Sequence, residues 1–124
     1  RVKSPLAYFD GRKRSPRFMS GTLFIIQTTL PRSWEEFEVG SLSQLLIEAG
    51  AACVQRTQIH SMYSWAGTLH SESEWSLEIK VRLSKKDAVL LKIEELHPDD
   101  TPQLLYWEVQ ASQGYADWAQ MDLK

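Results

Sequence analysis

The sequence predicts an α+β domain: an antiparallel sheet carrying two helices on one face. Three observations predict it. Trp75, Leu77, Ile79, Val81 and Leu83 alternate strictly with Ser76, Glu78, Lys80 and Arg82, the period of a strand with one buried and one polar face. Segments with apolar residues at helical spacing lie between extended segments, so strands and helices are interleaved rather than segregated. The chain has 124 residues, 43% hydrophobic and 24% charged, which is one domain's worth of sequence with enough apolar content to exclude wholesale disorder.

Each element has its own signal. Thr22 to Thr28 is an apolar, β-rich run with the profile of a central strand covered on both faces. Ser33-Trp34-Glu35-Glu36 then reads as an N-cap followed three residues later by Glu. Leu42, Leu45, Leu46 and Ala49 continue at helical spacing to Gly50, a natural C-terminal stop. Gly40 within that helix costs roughly 1 kcal/mol relative to Ala, which predicts a local irregularity. Ala52 to Trp65 is extended, Ala66-Gly67 supplies a reversal, and the alternating strand returns. Ser84 caps a second helix over Ala88, Leu91, Ile93 and Leu96, ended by His97-Pro98. A turn at Asp99-Asp100-Thr101 precedes a fourth strand, Leu104 to Val109, and Gly114 to Lys124 reads as a short amphipathic helix. The order is βαββαβ with a C-terminal helix, the split-βαβ or ferredoxin-like plan.

Charge divides the chain in two. Residues 1–18 hold six basic side chains against Asp10, a net of +5, and the remaining 106 hold eight basic against fifteen acidic ones, a net of −7. We read 1–18 as a solvated basic extension and 19–124 as the domain. An acidic body is a poor polyanion binder, because nucleic-acid affinity comes mainly from neutralising phosphates, so nucleic acid is not an expected partner. No apolar run approaches the ~20 residues of a membrane span. The N-terminus lacks the apolar core of a secretory signal. A single cysteine, Cys53, forms no internal disulfide and points to a reducing compartment.

The hairpin sets the assembly. A strand from Ala52 to Trp65 spans about 45 Å at ~3.3 Å per residue, whereas the helix from Trp34 to Ala49 is about 24 Å long. The outer hairpin still carries Met62, Tyr63 and Trp65, with Trp75 nearby, and such side chains are costly to leave in water. A closed homo-oligomer follows, with a shorter, bent hairpin in a monomer as the alternative.

Several segments run in register with one family: Ala51-Ala52-Cys53-Val54, Tyr63-Ser64-Trp65-Ala66-Gly67-Thr68-Leu69, Glu72 and Glu74, Lys80, His97-Pro98, Thr101-Pro102, and Tyr115-x-x-Trp118. On these residues the chain resembles the CutA (divalent-cation-tolerance) family from Leu23 to Leu123. The resemblance implies a cytoplasmic ferredoxin-like trimer linked to tolerance of copper and other divalent cations. It also implies likeness to the trimeric PII signalling proteins, with a cleft between subunits. Gln27 stands where some members have a copper-associated cysteine, and Asp99, Gln103 and Ala66 replace the usual Tyr, Glu and acid.

Cys53 and His97 are the surviving family positions for a metal, since copper takes thiolate or imidazole. Against this, Cys53 amid Ala51, Ala52 and Val54 also suits a small core filler. A two-residue turn places Cys53 opposite Lys80, and a shift by one puts it on the apolar face. His70, Glu72, Glu74, Ser76, Glu78, Lys80 and Arg82 share one strand face if the pleat is regular. That stripe could hold a hard divalent ion, line an intersubunit cleft, or be a solvated face stapled by cross-strand pairs. Tyr63, Trp65, Glu72, Glu74, Lys80, Tyr115 and Trp118 are the expected cleft residues, with trimer packing as the other role for the aromatics. No nucleophile elbow, phosphate loop or zinc-protease helix occurs. The expected function is therefore non-enzymatic divalent-cation tolerance or metal binding by a homotrimer. The alternative is a PII-like trimer binding a small ligand or partner protein.

Overall fold

Strands and helices alternate as β1 (Ser20–Pro31), α1 (Glu36–Ala49), β2 (Cys53–Trp65), β3 (Thr68–Val81), α2 (Leu83–Leu96), β4 (Leu104–Ser112) and α3 (Gln113–Gln120). This architecture comes from a computed structural model that describes residues 20–122. The expected basic extension, 1–18, lies outside the described residues. The four strands form one antiparallel sheet in the order β2-β3-β1-β4, so the α+β, ferredoxin-like plan is the fold. No described helix is long and apolar enough to cross a membrane.

Residues opposed across an antiparallel ladder share a face. Phe24 opposes Val81, Ile26 opposes Ile79, Thr28 opposes Leu77 and Leu30 opposes Trp75. This face lies under α1 and α2, against Val39, Leu42 and Leu46 of the first and Val89 and Ile93 of the second. Burial of each such Leu, Ile or Val is worth roughly 1.5–3 kcal/mol. Trp75 lies at the core's edge and donates its indole N–H to the Trp34 carbonyl at 3.0 Å. On the opposite face, Leu23 is buried with Ala52 and Ala119 beneath Tyr115 and Trp118. The third helix therefore covers the base of the face that α1 and α2 leave open. It seats on Gly21, where an added Cβ would stand 2.2 Å from that of Ala116.

Several boundaries differ from expectation, and three have a clear local reason. The first helix is capped at Glu35 rather than Ser33, because a turn closed by Trp34 N–H to the Pro31 carbonyl (3.0 Å) takes up Ser33. Glu38 Oε1 then accepts the Glu35 N–H at 2.8 Å. The second helix starts one residue before Ser84, because Lys85 N–H already bonds to the Arg82 carbonyl, which removes Leu83 from the strand. The fourth strand runs on past Val109 to Ser112, since Gln110, Ala111 and Ser112 pair with Thr22, Gly21 and Ser20 of β1. Gly40 produces no irregularity: α1 runs unbroken through it.

Ala66 (φ 51°) and Gly67 (φ 77°) both adopt left-handed conformations in a two-residue turn, the form that matches strand twist. Pairing is continuous from Trp65–Thr68 to Cys53–Lys80. The fourteen residues of β3 extend about 46 Å at ~3.3 Å each. The fourteen of α1 span about 21 Å at 1.5 Å each. The arm therefore outreaches its helices, leaving Met62 68%, Trp65 67% and Leu69 68% exposed.

Two substitutions test this backbone. A Cβ at Gly40 meets nothing within 4 Å, so Gly40→Ala is expected to stabilise by about 0.5–1 kcal/mol. Ala66 is held where an L-residue costs about 1–2 kcal/mol, so Ala66→Asn is expected to stabilise too. Denaturant midpoints at unchanged slope measure both.

Candidate functional site

β1 ends where Pro31 opposes Glu74, and beyond that point β3 runs on with its inner edge unpaired. The turn after β1 and the loop between α2 and β4 lie beside this edge. Together with the arm they enclose an open groove of about 1150 Å³. The arm contributes Tyr63, Trp65, Glu72 and Glu74, the turn contributes Arg32 and Ser33, and the loop contributes Asp99, Asp100, Thr101 and Gln103. Four carboxylates thus share the groove with one guanidinium, and Arg32 already lies 5.1 Å from the centroid of the Trp75 ring.

Tyr63 is the most perturbed group of this wall. Its ring stacks on His70 directly across the ladder, centroids 5.2 Å apart, and its hydroxyl donates a hydrogen bond to Glu72. That bond, with partial burial and the charges of Glu72, Glu74 and Asp99, pushes the phenol up to about 12. Each cause favours the neutral phenol over phenolate.

His97 closes the loop side. Its Nε2 lies 2.6 Å from the Thr29 carbonyl, and its Nδ1 accepts the Asp99 N–H at 3.0 Å. At the other end of the loop, Thr28 Oγ1 donates to the Gln103 carbonyl at 2.7 Å. Two consecutive residues of β1 therefore hold both ends of the segment that forms one wall of the groove.

The remaining expected residues lie elsewhere in the chain. Lys80 is six residues from Glu74 along β3, about 20 Å at ~3.3 Å each. It donates to Gln55 and, at 3.2 Å, to Glu78. Half-buried Cys53 faces Lys80, the placement a two-residue turn requires. Tyr115 and Trp118, with centroids 5.5 Å apart, pack over Leu23. Arg82 caps α2 rather than extending the stripe and binds Asp122 and the Gln120 carbonyl.

A soft metal needs Cys53 and His97 on one ion, and they do not meet. His97 is tied to Thr29, which opposes Ser76, four residues or about 13 Å along β3 from the partner of Cys53. No group of three or more His, Cys, Asp or Glu among the described residues could hold a metal ion. Within the chain the pair does not fit copper. Sequence reasoning missed Arg32, Asp100 and the groove-lining role of Asp99. Their signal was topological: both turns fall at the end of β1 where the arm begins, and loops at such junctions carry function.

Comparison with known proteins gives a consistent result. Residues 24–122 match the family model described as CutA1 divalent ion tolerance protein. The Divalent-cation tolerance protein CutA of Pectobacterium atrosepticum is 36% identical over 76 residues, covering 60% of this chain and 69% of that protein. The Pyrococcus horikoshii protein of the same name is 29% identical over 97 residues, covering 77% and 93%. Among solved structures, CutA from Synechococcus elongatus PCC7942 superposes with a TM-score of 0.72 at 32% identity, covering 81% of this chain and 89% of its own. The apo PII-like protein CutA from Nostoc sp. PCC 7120 gives 0.66 at 32% identity, covering 81% and 92%.

The Tyr63–Glu72 contact carries a pH expectation. A phenol held near 12 rather than its ordinary 10 contributes stability that is full below pH 10 and lost as pH rises from 10 towards 12. Glu72→Gln removes the strongest acceptor and a charge, so Tyr63 should ionise at lower pH. Tyrosinate absorbance in wild type and Glu72→Gln, each compared with its Tyr63→Phe counterpart, measures the shift. Identical titrations would remove Glu72 as its cause.

Proposed function

Because the chain belongs to the CutA1 divalent ion tolerance family, we propose that it serves divalent-cation tolerance as a non-enzymatic cytoplasmic homotrimer, binding in the clefts between its subunits. The observation that carries this reading is the arm. Beyond the helix layer it bears Met62, Trp65 and Leu69 in water, and on the opposite edge strand Leu105, Tyr106 and Trp107 are also exposed. Both β2 and β4 are edge strands, and bare edges are stabilised when neighbours in an assembly pair with them. Closure around a symmetry axis buries arms and edges together.

The groove is then one subunit's share of the cleft. Tyr63, Trp65, Glu72 and Glu74 belong to it, while Lys80, Tyr115 and Trp118 are the share a neighbour brings. Copper or another divalent cation is the ligand class. Since Cys53 and His97 stand apart in one subunit, donors for the ion come from more than one chain, and carboxylate oxygens are the ones this groove offers. Free Cys53 suits a reducing compartment.

A second reading has its own support. An open groove with Tyr63 and Trp65 beside charged residues suits a small organic ligand or a peptide as well as an ion, in the manner of a PII-like sensor.

Two measurements decide. Sedimentation at micromolar concentration is expected to show three chains of 14.3 kDa, and Trp65→Ala is expected to weaken that assembly; a 14.3 kDa species would end the trimer. Calorimetric titration of copper and of manganese is expected to show binding that Glu72→Gln with Glu74→Gln reduces about tenfold or more. Unchanged heats in that variant would favour the sensor reading, and heats lost only in Cys53→Ser would return the metal to the thiol.

A further inference from the structure

We infer that His97 is a positioning residue, a neutral imidazole latch that holds the acidic wall of the groove against β1, and not a metal ligand. The hydrogen-bond partners decide its state. A carbonyl can only accept, so the Nε2 that lies 2.6 Å from the Thr29 oxygen carries the hydrogen. A backbone N–H can only donate, so the Nδ1 that lies 3.0 Å from the Asp99 nitrogen is bare. A metal-bound imidazole also donates its other N–H to a carbonyl, which makes Nδ1 the deciding atom. Its lone pair is the one a metal would need, and the Asp99 amide occupies it. The side chain is 1% exposed and the nearest carboxylate oxygen, Asp99 Oδ2, stands 4.0 Å from Nδ1.

The latch has a structural consequence. His97 fixes the α2 end of the loop to Thr29, while Thr28 fixes the β4 end through Gln103. Between them the loop presents Asp99 and Asp100 to the groove. With both ends held by adjacent residues of a central strand, the acidic wall is formed before anything binds. Freeing the His97 end would release Asp99 first, since its own amide is the bonded group.

The importance of this wall rests on the groove reading above, but the latch itself does not, so its test is separate. Amide exchange of the full-length protein, with ¹⁵N spectra of its imidazoles, measures it. In His97→Ala the Asp99 amide is expected to exchange about tenfold faster, the effect of losing one hydrogen bond. In His97→Asn, whose side-chain oxygen replaces Nδ1 as acceptor, exchange should stay near wild type. Zinc added to wild type should leave the His97 Nδ1 resonance unmoved. A saturable zinc shift at Nδ1, or equal Asp99 exchange in wild type and His97→Ala, overturns the latch. Should His97→Ala fail to fold, the wild-type zinc titration and His97→Asn still decide. Absence of cation binding in calorimetry would count against the groove reading alone.

Discussion

The register of one hairpin organises the rest of this molecule. Two left-handed residues, Ala66 and Gly67, close a turn from which β2 and β3 pair without a bulge down to Cys53 and Lys80. The side-chain period of a strand is two, so a slip by one residue would carry every side chain to the other face. In the register observed, Val54 lies opposite Ile79 over the helix-covered core, and Tyr63 lies opposite His70 on the open face. A slip would drive Gln55 and Glu78 towards the apolar side and separate the Tyr63 hydroxyl from Glu72. The core and the groove wall therefore depend on the same turn, though about 40 Å of arm separates its tip from its base.

The antiparallel pairing of β1 with β3 has a second consequence. β1 is shorter at its C-terminal end, so β3 continues past it and leaves an edge beside which two connections gather. The α2–β4 loop is held there by hydrogen bonds from both of its ends to Thr28 and Thr29. A neutral histidine and a threonine do this work without placing a charge in the interior, which would be costly. The acids those connections carry can then face outward into water. Structure and electrostatics are divided between the two sides of the loop, with neutral hydrogen bonds inward and carboxylates outward.

Much of this was legible in the residues. Strict alternation over Trp75 to Val81 identified the central strand and its buried face, and the apolar run at Leu23 to Ile26 identified its partner. Turn chemistry at Ala66-Gly67 was enough to place Cys53 opposite Lys80. What the sequence could not resolve was long-range. The outer half of β3, Thr68 to Glu74, has no alternation of apolar residues because neither of its faces packs under a helix, so the turn before it marks it as strand but its own pattern does not say what either face meets. The expected cleft set divided for a similar reason. Residues that share a pleat, Glu72 and Lys80, are separated along a straight strand by the distance that period-two logic ignores. His97 carried a metal-ligand signal in sequence because its type is right for one; only the partners of its two nitrogens show that its bonding capacity is already used.

Four carboxylates around one guanidinium are tolerable while water fills the groove, because at high dielectric their mutual repulsion is small. Tyr63 already registers the local field, since its proton is held by Glu72 and by the neighbouring charges to about 12. In the proposed trimer a neighbour would cover part of this surface and exclude water from it. Repulsion among Glu72, Glu74, Asp99 and Asp100 would then rise as the dielectric falls, and a cation bound between them would offset it. Covering the groove and binding a divalent ion would therefore favour each other, and such coupling is reciprocal. In that proposed assembly the thermodynamic link would connect the acidic groove to cation tolerance without requiring any single chain to carry a finished metal site.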